Sequence, residues 1–345
     1  MVGPSSQISK LLVGLLFTTL IYYVYMDYNL YVRIRDFPIN GNNDNSSLVQ
    51  YQAVTWVQCE INPLCEVTVK AVLLDHTNYY LLAPSVTIID DLVRISDARL
   101  ITPNAISFFH VFVAVLSAKC VSSDSLAYRR IGVVLFEFRT WLDDLDGHVA
   151  RVRKHIKGEH SEIGTSGYYI DGICDALGCT ALIIGILAFF RNNPPRRGYV
   201  QLPTTNTETK DGLYTSKVAI KKIVKRLGFF VIQLIISSAA WNRYIALYQD
   251  LLENDWVSSA ESLNQNAILT SSFFYGICWV WRVVNIHNML HCLLLAIFCD
   301  KTWEFLCYMQ YMGFGVLFAV ICATELHFIE AKNFVFNRIT NANDS

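Results

Sequence analysis

Residues 143–151 read D-D-L-D-G-H-V-A-R and residues 167–175 read G-Y-Y-I-D-G-I-C-D. Each stretch adjoins a long apolar segment, so Asp143, Asp146, Asp171 and Asp175 lie where an ionised group is costly and rarely present without a role. On a helix, residues three or four apart share a face. Asp143 and Asp146 are three apart, and Gly167, Asp171 and Asp175 follow at steps of four. Two antiparallel helices would therefore aim four carboxylates into one gap. Such a cluster repels itself and calls for a cation. Oxygen ligands without His or Cys suit Mg²⁺, Mn²⁺ or Ca²⁺ rather than zinc. A pair of divalent ions held this way is the clamp used for displacement at phosphorus. Gly147, Ala150 and Gly167 would let a flat base or a diphosphate approach the backbone. Arg151 offers a planar fork suited to phosphate.

Working outward, the chain has 345 residues, of which 53% are hydrophobic and 17% charged. Its mean hydropathy is +0.33. So few charges argue against a soluble protein, and a net charge of −1 gives no ground for a nucleic-acid partner. A spanning helix takes about 20 mostly apolar residues. Segments 11–26, 104–120, 129–143, 168–190, 227–248, 267–285 and 303–325 qualify. The first lacks a small-residue cleavage site and reads as a retained anchor. The third carries Glu137 and Arg139 and is kept because the motif needs a helix ending at the carboxylates. From 267 to 298 one long helix is expected, with two short segments or a re-entrant pair as alternatives. In residues 85–100, Val86, Ile89, Leu92 and Ile95 share a face, which predicts an amphipathic helix lying on the membrane.

The two stretches together resemble the signature of the CDP-alcohol phosphotransferase family, D-x-x-D-G-x-x-A-R, a spacer, then G-x-x-x-D-x-x-x-D. Asp143, Asp146, Gly147, Ala150, Arg151, Gly167, Asp171 and Asp175 fill every fixed position. I-T-P-N-A-I-S at 101–107 is similar to the family's lead-in to its first core helix. The spacer departs from the pattern: fifteen residues separate Arg151 from Gly167, where about eight are usual. That longer spacer and the extra amino-terminal apolar segment are similar to the invertebrate ceramide phosphoethanolamine synthase branch. The resemblance implies an all-α integral membrane protein. It would have a six-helix core, an extra N-terminal transmembrane helix and an interfacial amphipathic helix. The organisation expected is an anchor over 1–26, a luminal segment over 27–84, the membrane domain over 85–330 and a tail over 331–345.

The resemblance also implies chemistry. Asp143, Asp146, Asp171 and Asp175 would ligate two ions, Mn²⁺ or Mg²⁺, and Asp175 would be the general base. Gly147, Ala150, Arg151 and Gly167 would bind the CDP-alcohol. The donor would be CDP-ethanolamine, the acceptor ceramide and the leaving group CMP. Related enzymes are often homodimers. Residue chemistry alone does not separate ceramide from diacylglycerol, nor ethanolamine from choline. The rival readings are a choline or ethanolamine phosphotransferase acting on diacylglycerol, and an inactive multipass scaffold. Of the ionisable residues outside the motif, Arg282, His287 and His291 are candidates to line a polar pocket, while His148 has no assignment.

Sidedness follows from charge. Segment 191–226 holds nine Lys or Arg, and segment 249–266 holds Asp250, Glu253, Asp255 and Glu261 with no basic residue. Short cytoplasmic loops are rich in Lys and Arg. The motif lies at the other end of segment 168–190 from the basic loop, so it is expected to face the lumen, as in a Golgi enzyme. Cys59 and Cys65 have the spacing of a small disulfide, which needs an oxidising space. Asn45-Ser46-Ser47 is a glycosylation sequon in the same segment.

Overall fold

The computed structural model describes residues 7–36, 61–65, 67–156, 164–195, 218–253 and 259–336. Among these there is no strand. Helix α1 (Gln7–Asp36) precedes a short α2 (Val69–Leu73), a π turn (Asn78–Leu82) and α3 (Ala83–Val93). Helices α4 (Pro103–Val121), α5 (Leu126–Arg153), α6 (Ser166–Asn192) and α7 (Ile220–Leu252) follow. They lead to α8 (Ser259–Leu269), α9 (Ser272–Val284), α10 (Ile286–Phe298) and α11 (Thr302–Phe336). Five helices, α1, α4, α6, α7 and α11, are long and apolar enough to cross a membrane. Counted as one broken span, the α8–α9 pair, bent by 54°, brings the number to six.

The 129–143 segment does not end at the carboxylates, as the sequence led us to expect. Helix α5 runs on through them to Arg153. Nor does it pass as a span on average hydropathy, because it is built inside out. Arg129 and Arg139 are buried, whereas Tyr128, Ile131, Val134 and Phe138 are exposed at intervals of three and four. The charges face protein and the apolar stripe faces outward, a pattern suited to lipid.

Helix α4 is the spine against which α5 and α6 pack. Thr102 caps it by accepting from the Ala105 amide at 3.2 Å, with Pro103 at the first helical position, where its missing N–H costs nothing. Close approach depends on two glycines. A Cβ at Gly185 would sit 2.5 Å from the Ala118 carbonyl oxygen, and one at Gly132 would sit 2.9 Å from that of Ser117. Ser117 Oγ donates to the Gly132 carbonyl oxygen at 2.7 Å, tying α4 to α5.

The expected single helix over 267–298 breaks twice. Asn285 has an extended backbone and ends α9; its side chain then caps α10 by accepting from the Asn288 amide at 2.8 Å. A short polar side chain that satisfies the backbone locally competes with helix continuation. At the amino terminus, α1 continues past residue 26 to Asp36. Residues 64–80 pack into one core with α1, α7, α9 and α11. The Trp241 indole N–H donates to the Leu73 carbonyl oxygen at 2.9 Å within it. The amphipathic helix exists but stops at Val93. Val86 is buried and Ile95 packs inward, while Leu92 is exposed. Cys65 is disulfide-bonded; Cys59 and Asn45 lie outside the described residues.

Candidate metal and phosphate site

The two motif stretches meet. A ring nitrogen of His110 and one carboxylate oxygen each from Asp143, Asp146 and Asp171 lie within 4.8 Å of one another, a group able to hold a metal ion. Ser107, one turn into α4, donates to Asp146 Oδ2 at 2.6 Å and fixes that carboxylate. Asp143 Oδ1 and Asp171 Oδ1 are buried and have no hydrogen-bond partner. Buried carboxylate oxygens without donors are expensive. Three converging aspartates, two of them with an unfilled buried oxygen, therefore fit a hard divalent cation.

The histidine was not foreseen, and its tautomer limits its role. Arg139 Nε donates to His110 Nδ1 at 3.2 Å. Nδ1 is thus the acceptor, so the neutral ring carries its proton on Nε2. That Nε2–H faces Asp143 Oδ1 at 3.6 Å. In that tautomer Nε2 carries a proton beside the carboxylate and has no lone pair for a metal.

Asp175 stands apart from this group. Its carboxylate accepts a hydrogen bond from Arg139 Nη2, and the same guanidinium nitrogen lies 3.9 Å from Asp143. Arg139, a liability in an apolar segment on sequence grounds, is the protein's own counter-charge to the cluster.

Gly147, Ala150, Arg151 and Gly167 all line one cavity of about 1160 Å³ with the four aspartates. A Cβ at Gly167 would meet nothing within 4 Å, so the backbone there borders open space. The cavity continues past Cys179 to Ile183 and Ile184 on α6 and to Val231 and Ile235 on α7. One end is acidic and polar; the other is aliphatic. Of the three outlying ionisable residues, only His287 lines it. Arg282 is buried elsewhere, 3.2 Å from Asp27 and donating to the Tyr80 hydroxyl at 3.0 Å. His291 bonds Glu137 at 3.0 Å. His148 joins Asp90 on α3 at 3.1 Å, which fastens the interfacial helix to the motif helix.

Comparison with known proteins now adds the family. The sequence model for ceramide phosphoethanolamine synthase matches residues 1–338. The chain is also 48% identical over 391 aligned positions to a ceramide phosphoethanolamine synthase of Drosophila melanogaster, with 100% of both chains covered. The chain belongs to the ceramide phosphoethanolamine synthase family. No solved structure matches it. Membership of that family accords with an all-helical multipass architecture and with the motif's two halves meeting at one cavity.

Proposed function

We propose that this protein transfers phosphoethanolamine from CDP-ethanolamine to the primary hydroxyl of ceramide, releasing CMP, at a Golgi membrane with its site facing the lumen. The observation that carries the reading is the single cavity that joins the aspartate cluster to an aliphatic channel between α6 and α7. A nucleotide diphosphate and a lipid acceptor have to meet, and this cavity suits one at each end.

Asp143, Asp146, Asp171 and Asp175 would hold two divalent ions, Mn²⁺ or Mg²⁺. When bound, such ions neutralise a diphosphate and the CMP that departs from it. Gly147, Ala150 and Gly167 leave room for the CDP moiety, and Arg151 pairs with phosphate. Asp175 takes the proton of the ceramide hydroxyl as the new O–P bond forms and the bond to CMP breaks. Arg139 keeps that carboxylate turned toward the cavity.

Sidedness is supported by the ends that share a level. The Val69 amide donates to Glu253 at 2.6 Å, which ties the segment carrying bonded Cys65 to the acidic end of α7. Val218, beside the basic start of α7, bonds the Pro195 carbonyl oxygen at 2.9 Å beyond the far end of α6. The motif begins α6 and so lies away from that basic end.

The test is direct. Purified protein in detergent receives Mn²⁺, labelled CDP-ethanolamine and either ceramide or diacylglycerol. Product with ceramide, lost on adding EDTA, is expected. Product with diacylglycerol alone would transfer the assignment to the glycerolipid enzymes.

A further inference from the structure

Beside the aspartate motif the cavity has a second polar wall, built by the π turn and α10. Asn78 is buried to 2% exposure yet lines the cavity, and its side-chain oxygen has no hydrogen-bond partner. Asp75 stands directly behind it with no exposed surface. One of its oxygens accepts the Asn78 amide at 3.0 Å, and the other is unpartnered. Glu137 adds a further negative charge through His291, whose Nε2 is 3.9 Å from Asp75. Arg139, which lines the same cavity, is committed to Asp175. The wall thus presents unpartnered acceptor oxygens backed by the Asp75 carboxylate, with Lys70 lining the same cavity and the His291 ring 3.9 Å from Asp75.

We infer that Asn78, backed by Asp75, receives the primary ammonium group of the phosphoethanolamine donor and so selects it over methylated analogues. This rests on the reading above that a CDP-alcohol binds at the motif. A primary ammonium carries three N–H donors and a full charge. It satisfies the Asn78 oxygen directly, and the Asp75 carboxylate stabilises its charge at short range inside a poorly solvated wall. A quaternary ammonium has no N–H to give, and it would leave the buried oxygens unmet, which is how hydrogen-bonding sites reject analogues that lack the group. Quaternary ammonium sites use aromatic faces. Trp241 on α7, which also lines the cavity, packs against His287 at 73° and donates its indole N–H to the Leu73 carbonyl oxygen.

The test is a donor series. With ceramide fixed, wild-type protein is assayed with CDP-ethanolamine, its N-methyl and N,N-dimethyl forms, and CDP-choline. KM should rise at each added methyl group. Asp75→Asn and Asn78→Leu should each raise KM for CDP-ethanolamine about tenfold or more. Neither should alter KM for ceramide or inhibition by CMP, so the preference over CDP-choline collapses. A flat wild-type series, or variants that keep the wild-type preference, would overturn the inference. So would a raised KM for ceramide with donor preference intact, which would mean that the wall reads the acceptor's amide and hydroxyl. A wild-type protein that transfers from none of these donors would instead refute the proposed function itself.

Discussion

Arg139 on α5 donates through Nη2 to the carboxylate of Asp175 on α6, so the charge that spoils one apolar segment offsets the charge that spoils the next. The arginine is 3% exposed at its side chain and Asp175 is 32% exposed. Removing one partner of a buried pair costs about 3–5 kcal/mol, and the partial exposure of Asp175 puts this pair at the lower end. Arg139→Met keeps the bulk and removes the charge. It should lower the thermal midpoint in detergent, with Mn²⁺ recovering more of the loss than it adds to wild type. An unchanged midpoint would show that the pair carries no weight. Arg139→Lys should behave almost as badly, since a lysine cannot reach His110 and Asp175 with one rigid fork.

Asp175→Asn separates charge from shape. The amide oxygen still accepts from Arg139, so the fold should hold, but no proton can be taken from an acceptor hydroxyl. General-base catalysis contributes about 10²–10⁴-fold. Turnover should fall by at least the lower figure, while KM for CDP-ethanolamine stays within a few-fold. Steady-state kinetics near wild type would remove Asp175 from the base role.

The metal is read through stability as well as rate. A ligand at one hundred times its Kd stabilises the folded state by about 2.7 kcal/mol. Mn²⁺ should therefore raise the unfolding midpoint of the wild type, and EDTA should reverse the shift. Asp171→Asn removes one converging carboxylate whose buried oxygen has no other partner. It should lose most of the Mn²⁺-dependent shift along with activity. A full Mn²⁺ shift in that variant would exclude Asp171 as a ligand.

The two motif halves could be read from spacing because helical periodicity alone puts Asp143 with Asp146 and Asp171 with Asp175. The residues that hold them could not. Ser107 lies within the recognised lead-in, yet its bond to Asp146 crosses 39 residues of sequence. His110 sits one turn further along the same helix, and nothing local says which helix it faces. Average hydropathy also misjudges α5, because it sums an inward charged face and an outward apolar one. The signal was present in Tyr128, Ile131, Val134 and Phe138, whose period of three to four marks a stripe opposite the charges. The break at Asn285 was harder still. An asparagine within an apolar run can ride in a helix or cap one, and only packing on both sides decides.

Gly185 tests the closeness of α4 and α6. Its added Cβ would meet the Ala118 carbonyl oxygen at 2.5 Å and Cα at 3.0 Å, both backbone atoms unable to rotate away. Overpacking of this kind costs about 1–3 kcal/mol. Gly185→Ala should lower the midpoint and, by parting the helix that carries Asp171 from its neighbour, reduce activity. Gly228→Ala is the control. It lies within α7, nothing stands within 4 Å of its added Cβ, and alanine favours a helix. Equal effects of the two would deny any special role to the α4–α6 contact.

Asp90 holds the chain between α3 and α4 at the end of the motif helix. It accepts from the Ser96 amide at 2.8 Å and the Ser96 hydroxyl at 2.6 Å, and pairs with His148 on α5. Arg153 closes the same loop by donating to the carbonyl oxygens of Ser96, Ala98 and Ile101 at 3.0, 2.9 and 2.8 Å. Burial works to raise the Asp90 pKa, but the two bonds from Ser96 and the contact with His148 outweigh it and hold the carboxyl below its usual value. A depressed carboxyl contributes stability that is fully present above its unfolded pKa, about 3.9, and that fades as pH falls through the lower folded value. Amide exchange over 94–102 should therefore be faster in Asp90→Asn than in wild type at pH 7. The gap should close only below about pH 4. A gap that persists unchanged into that acid range would mean that the latch depends on the shape of the residue at 90 and not on its charge.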